Sequence, residues 1–94
     1  MEVEGLRGRI LKSGDHWVLF MIADRDVTVP VHHHGAQWGI VLAGEMELTM
    51  GDSPVTLRRG DTHYIPANVD HGAFLHAGWQ GMYIFNRRTS ESQP

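Results

Sequence analysis

Residues 31–39 read VHHHGAQWG, with three consecutive histidines in the middle of the chain followed by a glycine and a glutamine. Successive side chains of an extended strand point to opposite faces. On that geometry His32 and His34 project together and His33 projects the other way, to packing or to the surface. Two imidazoles on one face at this spacing can share one metal ion. They can equally be a partly exposed pair with no ligand role, and the triplet alone leaves both readings open. Gly35-Ala36 permits a tight bend directly after His34, and Gln37 then begins the next strand. Gln37, Gly39, Val41 and Ala43 share a face, so the glutamine can return to the cavity that the histidines face. A strand, a bend and a returning strand set the pattern for the whole chain.

Working outward, helical periodicity is nearly absent. Short apolar or alternating runs are separated by Gly, Pro, Asp and Asn at intervals of about 8–12 residues, an all-β pattern. Strands are predicted over Leu6–Lys12, Trp17–Ala23, Val27–His34, Gln37–Leu42, Glu45–Met50, Val55–Arg58, Thr62–Ile65, His71–His76 and Gln80–Asn86. Glu45, Glu47 and Thr49 alternate with Met46, Leu48 and Met50, and Gly51-Asp52-Ser53-Pro54 is a strong hairpin turn. Trp17–Ala23 is apolar throughout and suits a strand covered on both faces. Met21, Met46, Met50 and Met82 read as core fillers. About nine strands in a chain this short close on themselves as a barrel or a two-sheet sandwich, because open edges aggregate. The expected organisation is one domain over residues 1–94, with a core over about 5–86 and a polar tail at 87–94.

Composition removes several function classes. Net charge is −3 with histidine neutral, which gives no electrostatic reason to expect nucleic acid or an anionic membrane as partner. The chain has no cysteine, so disulfide scaffolds and thiolate zinc sites are excluded. The acidic start MEVEGLRGRI is no signal peptide, and no run approaches the ~20 apolar residues of a membrane helix. A cytoplasmic setting is the expectation. No Ser-His-Asp arrangement, Gly-rich phosphate loop or basic aromatic patch is present.

A second segment, Gly60-Asp61-Thr62-His63-Tyr64-Ile65-Pro66-Ala67-Asn68-Val69-Asp70-His71, ends in another histidine. Pro66 stops a short strand, Asn68 tolerates the positive φ of a bend, and His71 opens a new strand. With both segments in view, the chain resembles the cupin superfamily, in particular small single-domain bacterial cupins. His32 and His34 match the His-x-His of the first cupin motif, and Gln37, six residues and Gly44 match its Glu-six-Gly half. Gly60, Pro66 and His71 match the second motif, with Asn68 in place of its second glycine. The departures are a two-residue gap between His34 and Gln37, Gln for Glu, Leu75 at the closing Asn position, and Asp26 where a glycine precedes the histidines.

The resemblance implies a cupin-type β-barrel, also described as a double-stranded β-helix or jelly roll. It implies a divalent transition metal (Mn, Fe, Ni, Zn or Cu) held by His32, His34, Gln37 and His71. Imidazole accepts these ions without strong discrimination. The implied function is to bind, or act on, a small oxygenated metabolite, as a metal-dependent isomerase, lyase, decarboxylase or dioxygenase. The alternative is a non-catalytic ligand-binding or sensing cupin with no required metal. Because Gln37 is neutral, this ligand set leaves the full charge on the ion, which favours an anionic ligand. His63 and Tyr64 are candidates for catalytic groups near the cavity, against surface and packing roles respectively. Trp38, opposite Gln37 in parity, is expected outside the barrel, and His16 and His76 on the surface. If His32 and His34 face inward, alternation turns Val27, Val29 and Val31 outward, and three aligned valines predict a homodimer.

Overall fold

The computed structural model describes residues 4–33 and 35–86; His34 and the expected polar tail lie outside them. Nine strands follow one another: β1 (Leu6–Ser13), β2 (His16–Ala23), β3 (Val27–His32), β4 (Gln37–Ala43), β5 (Glu45–Thr49), β6 (Pro54–Arg58), β7 (Thr62–Ile65), β8 (His71–Leu75) and β9 (Gln80–Asn86). The expected strands match these to within two residues at either end. All pairings are antiparallel. They form a five-stranded sheet ordered β1-β2-β9-β4-β7 and a four-stranded sheet ordered β3-β8-β5-β6. The two sheets enclose the core between them as a jelly-roll barrel.

Alternation decides which residues enter that core. On β5, Met46 and Leu48 are buried while Glu45, Glu47 and Thr49 take the other face. Ala23, Val27, Val41, Leu57, Ile65, Leu75, Trp79 and Tyr83 complete the buried set. Met50 and Met82 depart from the expected role: Met50 sits exposed in the turn after β5, and Met82 lies on the outer face of β9. The corner between β4 and β5 requires its glycine twice over. Gly44 has a φ of +73°, and a Cβ there would come 2.9 Å from the Trp79 backbone. Asn68 takes the left-handed conformation expected of it, with a φ of 63°.

The expectation for the valines fails, and the ladder gives the reason. Val29 pairs with Ala73, but the next pair is His32 with His71, three steps along β3 against two along β8. A β-bulge has inserted one residue and reversed the alternation. Val27 is therefore in the core, Val29 lines the interior beside His32, and only Val31 faces out, 67% exposed. The uncovered apolar surface lies elsewhere. Leu11, Val18, Ile84, Trp38 and Tyr64 are successive register partners across all five strands of the larger sheet, on its outer face. Trp17–Ala23 is thus covered on its inner side only, with Phe20 exposed on the outer side.

Candidate functional site

A cavity of about 280 Å³ opens between the sheets. Its lining is mostly apolar, including Leu19, Met21, Val29, Leu48, Ile65 and Phe85. The side chains that bring nitrogen or oxygen ligands to this lining are His32, Gln37, His71 and Tyr83. His32 and His71 come from neighbouring strands β3 and β8 of the four-stranded sheet, as direct register partners. Their ring centroids stand 4.4 Å apart. Gln37 comes from β4 of the opposite sheet.

The backbone fixes the chemistry of both rings. His32 Nδ1–H donates to the Pro30 carbonyl at 2.7 Å, and His71 Nδ1–H donates to the Val69 carbonyl at 2.9 Å. A carbonyl oxygen can only accept, so each Nδ1 carries the proton and each Nε2 carries the ring lone pair. This is the tautomer that a metal-ligating histidine uses, with its second nitrogen held by a backbone acceptor. The same residue-to-i−2 contact occurs at both positions, and His71 is 95% buried, its surface exposure being 5%. Two preset imidazoles and one amide oxygen on a shared cavity fit a divalent first-row ion.

Of the other expected positions, His33 is exposed beside Asp70, with Nδ1 3.3 Å from the carboxylate, on the side alternation gave it. Trp38 and Tyr64 pack against each other on the outer face, with ring centroids 4.6 Å apart and Trp38 61% exposed. Tyr64 therefore faces away from the cavity, because it follows His63 and precedes Ile65, both of which point inward. It supplies no proton donor there.

His63 is the inward neighbour. Its Nε2 lies 3.2 Å from the Tyr83 hydroxyl, and its Nδ1 is sealed from solvent without a hydrogen-bond partner. Burial holds this imidazole below the ordinary histidine range, and the nearby His71 charge adds to the effect. Burial likewise pushes the Tyr83 hydroxyl well above its ordinary range. The pair exists because of Gly39. Gly39 is the register partner of His63 on one side and of Tyr83 on the other, so it separates them by a full strand. With no side chain in between, the two rings lean over it and meet. Sequence reading reached His63 but not Tyr83, which looks like one more core aromatic; the available signal was its inward parity on β9 opposite Gly39.

A second group lies on the outside. Ligand atoms of Glu45, Glu47 and His76 fall within 4.8 Å of one another and could hold a metal ion. Glu47 Oε2 already accepts from His76 Nε2 at 2.7 Å, which raises the His76 pKa, and Glu45 pairs with Arg58 at 2.9 Å. The i, i+2 spacing of the two glutamates on β5 is its sequence signal.

Known proteins share this architecture. A KdgF from Halomonas sp. superposes with a TM-score of 0.82 at 23% identity, covering 96% of this chain and 87% of that one. An RmlC-like cupin from Shewanella frigidimarina superposes with a TM-score of 0.80 at 26% identity, covering 92% of this chain and 83% of that one. Among curated proteins, the xanthan biosynthesis protein XanB of Xanthomonas campestris pv. campestris is 38% identical over 45 residues, 48% of this chain. The match spans only 10% of the length of XanB. The cupin domain family matches residues 18–78, both histidine-bearing segments included, and the chain belongs to that family.

Proposed function

We propose that this protein binds a divalent transition metal in its barrel, held by His32, Gln37 and His71 with His34 as the further member of the set. On this reading it handles a small, oxygenated, anionic metabolite there. The carrying observation is the pair of register-matched histidines, each with Nδ1 anchored to a backbone carbonyl, in an otherwise apolar cavity. When bound, such an ion would polarise a ligand oxygen as a Lewis acid. The chain's own residues then do the rest: the imidazoles stay in the ligating tautomer, Gln37 adds an oxygen without adding charge, and the aliphatic lining excludes water. That combination suits isomerase, lyase, decarboxylase or dioxygenase chemistry on a carboxylate or 2-oxo acid. Elemental analysis after native purification, with His32→Ala and His71→Ala beside wild type, tests the site. Full metal content in both variants sinks the assignment. Product analysis of metal-loaded protein with small carbonyl and hydroxy acids separates turnover from binding alone.

The partner proposed for the outer face of the five-stranded sheet is a second copy of the chain. Five strands about 4.8 Å apart and three residue rows about 7 Å apart give a footprint of about 500 Å². Corrugated by Trp38, Tyr64, Phe20 and Ile84, that footprint approaches the ~800 Å² per partner of a standard interface. A wild-type protein that is monomeric by light scattering at tens of micromolar refutes the dimer. Trp38→Glu should yield monomers that keep their metal. A cytoplasmic setting belongs to this same proposal; the described residues include no helix long and apolar enough to cross a membrane.

A further inference from the structure

We infer that Tyr83 presents its hydroxyl proton, rather than its lone pairs, to the cavity, that His63 enforces this polarity, and that the bound ligand carries an acceptor oxygen on that side. The inference rests on the cavity being a ligand site, as proposed above. It starts from the His63 ring, which has two nitrogens and one hydrogen-bond partner. Nε2 meets the Tyr83 hydroxyl, and Nδ1 is buried with no partner. Held neutral by burial, the ring has one proton to place.

Two arrangements are possible. If the proton sits on Nδ1, a buried N–H donor is orphaned, while Nε2 accepts from Tyr83 and the tyrosine turns only lone pairs elsewhere. If it sits on Nε2, that N–H donates to Tyr83 Oη, and the unpartnered atom is a bare ring nitrogen in an apolar setting. Orphaned buried N–H groups are the rarer and costlier defect. The second arrangement is favoured, and it leaves the Tyr83 O–H to donate elsewhere. Tyr83 lines the cavity, so the cavity is where that donor is available.

Placement then limits the ligand. His32 and His71 belong to the four-stranded sheet and Tyr83 to the opposite one. A molecule held at the histidines therefore meets the Tyr83 donor across the cavity. The matching chemistry is a small acid with a second oxygen function: one oxygen for the metal side, another, a carboxylate or carbonyl, for Tyr83. His63 is a positioning residue in this scheme, and Tyr83 is the one that touches the ligand.

The test has two readouts. Long-range ¹H–¹⁵N NMR of the metal-free protein near neutral pH reports the His63 tautomer; a protonated Nε2 is expected, and a protonated Nδ1 overturns the inference. Oxalate is the probe for the ligand half, titrated into metal-loaded protein by calorimetry. Tyr83→Phe should keep its metal stoichiometry and lose about tenfold in oxalate affinity, the order expected for one hydrogen bond to a charged group. His63→Gln, whose amide can still donate to Oη, should bind oxalate close to wild type, whereas His63→Leu should not. Unchanged oxalate affinity in Tyr83→Phe overturns the donor role. If wild type takes neither metal nor oxalate, the reading of the cavity falls and the ligand half falls with it, while the tautomer is still decided by the NMR.

Discussion

Gly39→Ala is the sharpest perturbation this barrel offers, because one methyl group enters the space where two rings meet. A Cβ at Gly39 would lie 2.5 Å from His63 Cε1 and Nε2 and 2.6 Å from Tyr83 Cε1. Ordinary contact begins near 3.4 Å, so each ring must withdraw by about 0.8–0.9 Å. They flank the methyl on opposite strands and must withdraw in opposite directions. Their hydrogen bond, already 3.2 Å long, cannot survive that separation. Overpacking of a closed interior costs about 1–3 kcal/mol, and the lost hydrogen bond about 1 kcal/mol. Alanine stiffens the unfolded chain and returns about 0.4–1 kcal/mol. The expected net loss is about 1.5–3 kcal/mol, a sizeable share of the ~5–14 kcal/mol available to a chain of this size. At a urea m-value of ~1 kcal/mol/M the midpoint should fall by about 1.5–3 M. His32 and His71 of the proposed metal site lie on the opposite sheet, so metal stoichiometry should be retained. A loss under ~0.5 kcal/mol, with the Tyr83 resonances unmoved, would show that the rings have room to spare and that Gly39 is not what lets them meet.

Trp79→Ala should cost about 3–5 kcal/mol by denaturant titration, since this residue is the largest fully buried side chain and is 1% exposed. His33→Ala should keep full metal content where His71→Ala loses it, because His33 is turned to the surface beside Asp70. Gln37→Glu should hold the metal at least as tightly but bind oxalate or azide more weakly; unchanged anion affinity would remove the electrostatic basis for an anionic ligand. For His63 the folded pKa is depressed below 6.5, so the unfolded chain takes up the proton first as pH falls. Its contribution to stability is therefore present above pH 6.5 and lost progressively below it, and His63→Gln should flatten the fall in urea midpoint over that acidic range.

The fold was legible because its signals are local. Glu45–Thr49 alternates, Gly44 and Asn68 occupy positive-φ corners, and turn residues recur often enough to cut nine strands between Leu6 and Asn86. The convergence of His32, Gln37 and His71 on one cavity was legible only with the motif spacing added, since β8 is distant in the chain from the neighbouring strands β3 and β4. The side of the valines was not legible. Alternation carried from His32 back to Val27 assumes an unbroken ladder, and the extra residue before His32 breaks it. A bulge depends on the partner strand as much as on its own residues, so β3 alone does not announce it.

The same bulge links the failed expectation to the site. With unbroken pairing, Val29 and His32 would point to opposite faces, and a strand that buried Val27 and Val29 would turn His32 to solvent. Inserting one residue lets β3 turn Val27 and Val29 inward and still present an imidazole to the cavity beside His71. The alternative, an inward histidine with both valines outside, would have moved two aliphatic side chains from the core to water, at about 1.5–3 kcal/mol each. Binary patterning thus fails in this chain at the strand where core and site meet, and it fails in the direction that burial favours. The apolar surface that the valines were expected to provide is supplied by Leu11, Val18, Ile84, Trp38 and Tyr64. That row crosses five strands drawn from both ends and the middle of the sequence, so it becomes visible only once the order β1-β2-β9-β4-β7 is known.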